Sequence, residues 1–339
     1  MSSGLSINTL RGLACLLLVG YHVIGDDSEA GLRLEPEHLA SQANQCLSLI
    51  RMPLFSFLSG MVYALRPATG PLTPFAVGKT RRLLAPMLIV GTAFALLQTV
   101  TSGTNGGDYD WATLHIVPVA HYWFLEALFL IFLATALLER GGWLATPRAF
   151  LAVGVAAALL HVWAPLPMYL GLAGATFLWP FFLMGVAARR FPAPMSSNWM
   201  LGVITILPVG ILSAWAATAM PPADAPGADR LLVGLCACLL LSRLRLESRG
   251  LAWIGAWSFG IYLFHPVFTA AARMGLKAAG LDDVTTLFVA GMAAGLSGSI
   301  ALTASLRRLP LGHWALGERA RTSRTASGRA GDPARSGPA

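Results

Sequence analysis

The chain is 339 residues long, 55% hydrophobic and only 12% charged, with a mean hydropathy of +0.64. A soluble domain carries about 25% charged residues, so this composition excludes a soluble enzyme and describes an all-α polytopic membrane protein. The net charge of +8 does not point to nucleic acid, because the bases are spread over short segments between apolar runs and form no binding domain.

A window of about 19 residues predicts about ten membrane helices, near residues 7–24, 45–65, 83–102, 121–138, 149–166, 168–188, 199–219, 229–242, 251–272 and 284–306. The fifth and sixth nearly abut and the eighth is short, which brackets the count between nine and eleven. With the N-terminus inside, the inner loops and tail hold 18 basic and four acidic residues, and the outer loops hold four basic and eleven acidic ones. Arg66, Lys79, Arg140, Arg189 and Arg243 are among the inner bases; Asp26, Asp27, Glu29, Glu35 and Glu37 are among the outer acids. This is the positive-inside pattern. One helix more or fewer inverts every later loop, so ten spans with both termini cytoplasmic, in the inner (cytoplasmic) membrane, is the reading the charges select.

The first segment holds the most informative pair. Arg11 and His22 are eleven residues apart, within about 20° of one helical face and roughly 16 Å apart along the axis. An Arg at the centre of a membrane helix costs about 2.5–3.5 kcal/mol on insertion scales, so the stripe is expected to line a polar cleft, with a fixed cation near the inner end and a titratable base near the outer end. Cys15 shares the stripe and reads as a small packing residue. The segment lacks a preceding basic cluster and a small-x-small site, and reads as a span rather than a cleaved signal. Cys236 and Cys238 point about 160° apart on a helix, so no disulfide framework or metal pair is expected from the cysteines.

Later ionisable residues fall at a similar depth. Arg51 lies early in the second helix, Glu126 early in the fourth and His265 well along the ninth, so with His22 they gather towards the outer half. Pro53 and Pro266 beside them break helical hydrogen bonding, which membranes tolerate where the backbone lines a cavity. Arg51 and Glu126 have alternative readings as an ion pair or as site residues. Trp123 and Phe124 read as an interfacial belt, and His38, His115, His161 and His313 carry no motif. The spacing of Gly291 and Gly295 is that of ordinary helix packing. Residues 1–306 form one membrane domain, and the Arg-, Ser- and Gly-rich stretch 307–339 has too few large apolar side chains to repay ordering and reads as a disordered cytosolic tail.

Four stretches carry a resemblance: LRGLACLLLVGYH (Leu10–His22), MPLFSFLSGMVYA (Met52–Ala64), HYWFLEALFL (His121–Leu130) and SFGIYLFHP (Ser258–Pro266). In order and spacing they resemble the acyltransferase type 3 family, integral-membrane O-acyltransferases acting on surface carbohydrates, Nod factors and macrolides. The resemblance implies acyl-CoA, most commonly acetyl-CoA, as co-substrate, a carbohydrate or glycolipid hydroxyl as acceptor, and His22, with Arg11, as the catalytic pair. Where the family tends to show Arg-x-x-Arg before a Pro, this chain has Lys79, Thr80, Arg81 and Arg82 before Pro86. The donor phosphates are therefore expected on Lys79, Arg81 and Arg82, with the choice among them open, and Arg51, Glu126 and His265 are expected near the substrates. A thioester is already activated and a hydroxyl needs only a base, so no metal and no tightly bound cofactor is expected. The rival reading is a transporter or flippase, because buried charges and proline-broken helices also mark transport pathways.

Overall fold

The computed structural model describes residues 4–25, 30–104, 106–164, 166–218 and 227–319. The Asp26, Asp27 and Glu29 part of the acidic loop, Asp224, and the arginines of the tail beyond 319 lie outside the described residues.

All ten apolar segments are helical, and among the described residues there is no β-strand. Among the described residues, seven helical stretches are long and apolar enough to cross a membrane: Gly4–Ile24 (α1), Leu39–Tyr63 (α2), Leu72–Val100, Ala120–Arg140, Tyr169–Arg190, Asn198–Thr218 (α9) and Val284–Leu306 (α13). The third comprises α3 (Leu72–Lys79), a π-turn over Thr80–Leu84, and α4 (Ala85–Val100). The fourth is a short 3₁₀ turn at Ala120–Tyr122 followed by α5 (Trp123–Arg140), and the fifth contains α7 (Leu172–Arg190). The apolar helix α6 (Pro147–Trp163) has 17 residues. Short α8 (Pro192–Ser196) precedes α9, and α10 (Ala228–Arg243) has 16 residues and carries Asp229, Arg230 and Arg243.

The segment read from sequence as one span at 251–272 is broken. α11 (Arg249–Ala256) and α12 (Ser258–Ala278) meet at an angle of 79° around Trp257, and count as an eighth candidate span only if taken together. The cause is a close crossing. α11 lies against α1 so tightly that a Cβ on Gly12 would sit 1.9 Å from the Leu251 carbonyl oxygen, and one on Gly255 would sit 2.0 Å from that of Asn8. Ser248 caps α11 by accepting from the Leu251 amide at 3.3 Å, and its own amide donates to Thr9 Oγ1 at 3.1 Å. Missing side chains are what allow such approach between membrane helices. α2 and α7 cross the same way at Gly60 and Gly185, and Ser56 Oγ donates to the Leu178 carbonyl at 2.9 Å.

The interior is built by α1, α2, α5, α7 and α12, whose apolar side chains form one large cluster. α9 stands at the periphery, burying only Ile204 and Trp215. Of the two aromatics read as an interfacial belt, Phe124 is buried in this interior, 5% exposed, and Trp123 is only partly buried against it. A helix packed on several sides buries its aromatics whatever their sequence distance from the span end. After α13, a final turn α14 (Gly312–Ala315) packs back, with Leu316 in the main cluster.

Candidate functional site

One proline organises the centre of the site. Pro266 in α12 has no N–H, so the Tyr262 carbonyl four residues earlier lacks its helical donor. Two imidazoles replace it: His121 Nε2 lies 3.0 Å and His265 Nδ1 3.1 Å from that oxygen. His265 Nδ1 is also 2.7 Å from the Ile261 carbonyl. The Tyr262 hydroxyl donates back to the His121 carbonyl, and the Tyr122 hydroxyl donates to the Leu263 carbonyl at 2.8 Å. These bonds lock the start of the α5 span to the middle of α12.

Carbonyl oxygens only accept, so the protons follow from the geometry. His265 carries its proton on Nδ1 and presents Nε2 as an acceptor. His22 Nδ1 lies 3.0 Å from that Nε2 and 3.0 Å from the Leu18 carbonyl, and so is the protonated nitrogen. The lone pair of neutral His22 is then on Nε2. His265 fixes this tautomer as the orienting partner does in a catalytic triad. The rings of His22, His121 and His265 are mutual neighbours, with centroids 4.6–5.6 Å apart. His265 is fully buried and His121 nearly so.

Arg51 stands behind this group. Its guanidinium lies over the Tyr21 ring, 3.6 Å from the centroid, and Tyr21 packs edge-on against His22 at 4.7 Å. Arg51 Nη1 donates to Asn44 Oδ1 at 3.1 Å, and Asn44 Nδ2 donates to the Gly25 carbonyl at 2.7 Å, tying α2 to the end of α1. Glu126 is 4% exposed, and neither carboxyl oxygen has a hydrogen-bond partner among the described residues. It therefore forms no ion pair with Arg51. An ionised carboxylate so placed costs several kcal/mol, which favours a proton on it or a ligand group against it.

His22 and His121 form part of the wall of a cavity of about 560 Å³, within the range of roughly 300–1,000 Å³ usual for small-molecule sites. Its other walls come from the far ends of α4 and α12 and from the loop after α4, where Tyr109 donates to Gln98. Burial pushes the Tyr109 phenol up from its ordinary value, so it stays a neutral hydroxyl.

The remaining sequence-predicted residues lie apart. Arg11 is half-buried about three turns below His22, with Nη1 3.5 Å from Asn8 Oδ1, beside the α1/α11 crossing, and Cys15 between them is fully buried in packing. Lys79, Arg81 and Arg82 surround the π-turn but face differently. Lys79 Nζ lies 3.1 Å from the Phe132 ring centroid, Arg81 Nε is buried without a partner, and Arg82 is exposed. The structure thus brings together His22, His265 and, behind them, Arg51. It adds His121, which heads the third motif and opens the fourth apolar run but drew no role from sequence.

Comparison with curated proteins and with solved structures gave no significant match. A family model described as an acyltransferase domain, that of acyltransferase type 3, matches residues 5–304, a stretch containing all four motifs and the whole histidine group. The chain therefore belongs to the acyltransferase type 3 family and is a membrane acyltransferase.

Proposed function

We propose that this protein moves an acyl group, most simply acetyl, from acyl-CoA to a hydroxyl of a carbohydrate, glycolipid or other surface or secreted acceptor. The observation that carries this reading is the His22–His265 pair at the wall of the cavity. An imidazole whose tautomer is fixed, with its lone pair on Nε2, has the form of a general base. The acceptor hydroxyl gives its proton to His22 Nε2 as its oxygen attacks the thioester carbonyl. A C–O bond forms, the C–S bond breaks, and the imidazolium returns the proton to the departing thiolate. His265 accepts a hydrogen bond from His22 Nδ1–H throughout and so steadies the imidazolium. A transporter is the less favoured alternative, since acyl transfer accounts for the family membership and for an oriented base without invoking a pathway.

Lys79, Arg81 and Arg82 are proposed to bind the coenzyme A phosphates, for which clustered cationic donors are suited. Replacing all three by Ala is expected to weaken acyl-CoA binding while leaving acceptor preference unchanged, because the phosphates are remote from the reacting carbon. Equilibrium binding of acyl-CoA to purified, correctly inserted protein measures this. Unaltered affinity removes the cluster from the site.

The loop charges support ten crossings of the inner membrane with both termini cytoplasmic. In a background lacking the exposed Cys46, a cysteine at Glu37 is expected to react with an impermeant thiol reagent in intact spheroplasts, and one at Arg66 only after permeabilisation. The reverse pattern inverts the proposed orientation.

A further inference from the structure

The cavity beside His22 is bounded unevenly. Its α4 wall is Phe94, Leu97 and Gln98, the i, i+3, i+4 spacing of one helical face, with Thr101 just past the helix end. The adjoining face of α4 is exposed on the outside of the bundle: Leu96 is 51%, Leu97 43% and Val100 79% exposed. Leu97 belongs to both faces. Across the cavity, Ala271 of α12 does the same, lining the cavity while exposed. Both lips are apolar and lie within the helical stretches of a membrane protein, where an exposed apolar face meets lipid.

The rest of the lining points the same way. Among the described residues, no Asp, Glu or Trp lines the cavity, the partners that a bare sugar, with hydroxyls on every edge, commonly uses. Besides His22 and His121, its polar lining is Gln98, Thr101, Thr104, Tyr109, Thr269 and Arg273, and the α12 wall from Pro266 to Ala271 is apolar but for Thr269. Arg273 donates to the Gly31 carbonyl and forms no salt bridge among the described residues, which leaves guanidinium donors for a head group.

From this shape we infer that the acceptor is an amphiphile resident in the bilayer, which enters sideways between α4 and α12 past Leu97 and Ala271. Its hydroxyl-bearing head reaches His22, and its apolar portion stays in the gap and the lipid beyond. This deepens the acyl-transfer reading of the same site and rests on it.

The test has two arms. Membranes carrying the full chain are incubated with radiolabelled acetyl-CoA and extracted with chloroform and methanol. Separately, purified protein is irradiated with a diazirine-bearing alkyl glucoside, and the modified residues are read by mass spectrometry. Label is expected in the organic phase, absent with His22→Ala, and lowered about tenfold or more, equivalent to about 1.4 kcal/mol, by either Leu97→Trp or Ala271→Trp. Leu96→Trp, one residue away on the lipid side, is expected to match the parent. Cross-links are expected on cavity-facing Phe94, Gln98 or Val267. Label confined to water-soluble product, or parent-level labelling in both lip variants, overturns the side entrance and leaves the acyl-transfer reading standing. If neither phase is labelled, acetyl transfer itself fails, and the cross-links decide the entrance: on the cavity face they support it, and confined to Leu96 and Val100 they overturn it.

Discussion

Replacing His22 by Ala is expected to lower acyl transfer by about two to four orders of magnitude, the usual contribution of a positioned acid–base group, while folded protein and acyl-CoA binding stay near the parent level. His22 is half-buried at a cavity wall, and its removal empties a space that already adjoins the cavity. Cys15→Ser, about two turns below on the same face, is expected to be nearly silent, because Cys15 only packs. A rate-against-pH profile supplies a second criterion. Only the neutral imidazole accepts the hydroxyl proton, so kcat/KM falls as pH drops through the His22 titration, and that limb is expected to vanish from the residual activity of the variant. A well-folded His22→Ala protein that transfers acyl groups at the parent rate removes His22 as the base.

The second large effect is expected at His265. Its Nε2 accepts from His22 Nδ1 at 3.0 Å while its own Nδ1 is held by two backbone carbonyls. His265→Phe keeps an aromatic of similar size and loses the acceptor, so His22 is free to adopt the other tautomer and place its proton on Nε2. Loss of the orienting partner in a serine-protease triad costs about 10⁴ in kcat; a neutral imidazole steadies an imidazolium less than a carboxylate does, and a fall of about a hundredfold is expected here. The fall belongs in kcat with KM little changed, because His265 is buried behind His22 and lines no substrate surface. The decisive measurement is the double variant. Residues acting as one unit are non-additive, so His22→Ala with His265→Phe is expected to be no slower than His22→Ala alone. Multiplicative losses would show that His265 acts independently of His22, by stability or by a substrate contact of its own.

The same two histidines show how legibility divides. The Arg11–His22 spacing was readable because one helix carries both residues and helical geometry needs no neighbour. The pairing of His22 with His265 was not. They are 243 residues apart in sequence, and depth along separate helices says nothing about which helices touch. Pro266 was recognisable as a break, but which side chains would occupy the freed Tyr262 carbonyl depended on α5 docking there, and for that reason His121 went unassigned. Glu126 and Arg51 share a depth without sharing a bond. Lys79, Arg81 and Arg82 share a charge but not an environment, because residues one and two apart on a helix point to different sides and which side is covered depends on neighbouring helices.

Composition, apolar run length and motif order were sufficient for an all-helical membrane protein and for its family, because lipid admits few backbone solutions and local residue spacing survives any packing. The bend at Trp257, the burial of Phe124, the fixed His22 tautomer and the cavity between α4 and α12 were decided only by tertiary structure. Each depends on contacts between helices distant in sequence, set by where small residues permit close approach and by which orphaned backbone group finds a donor.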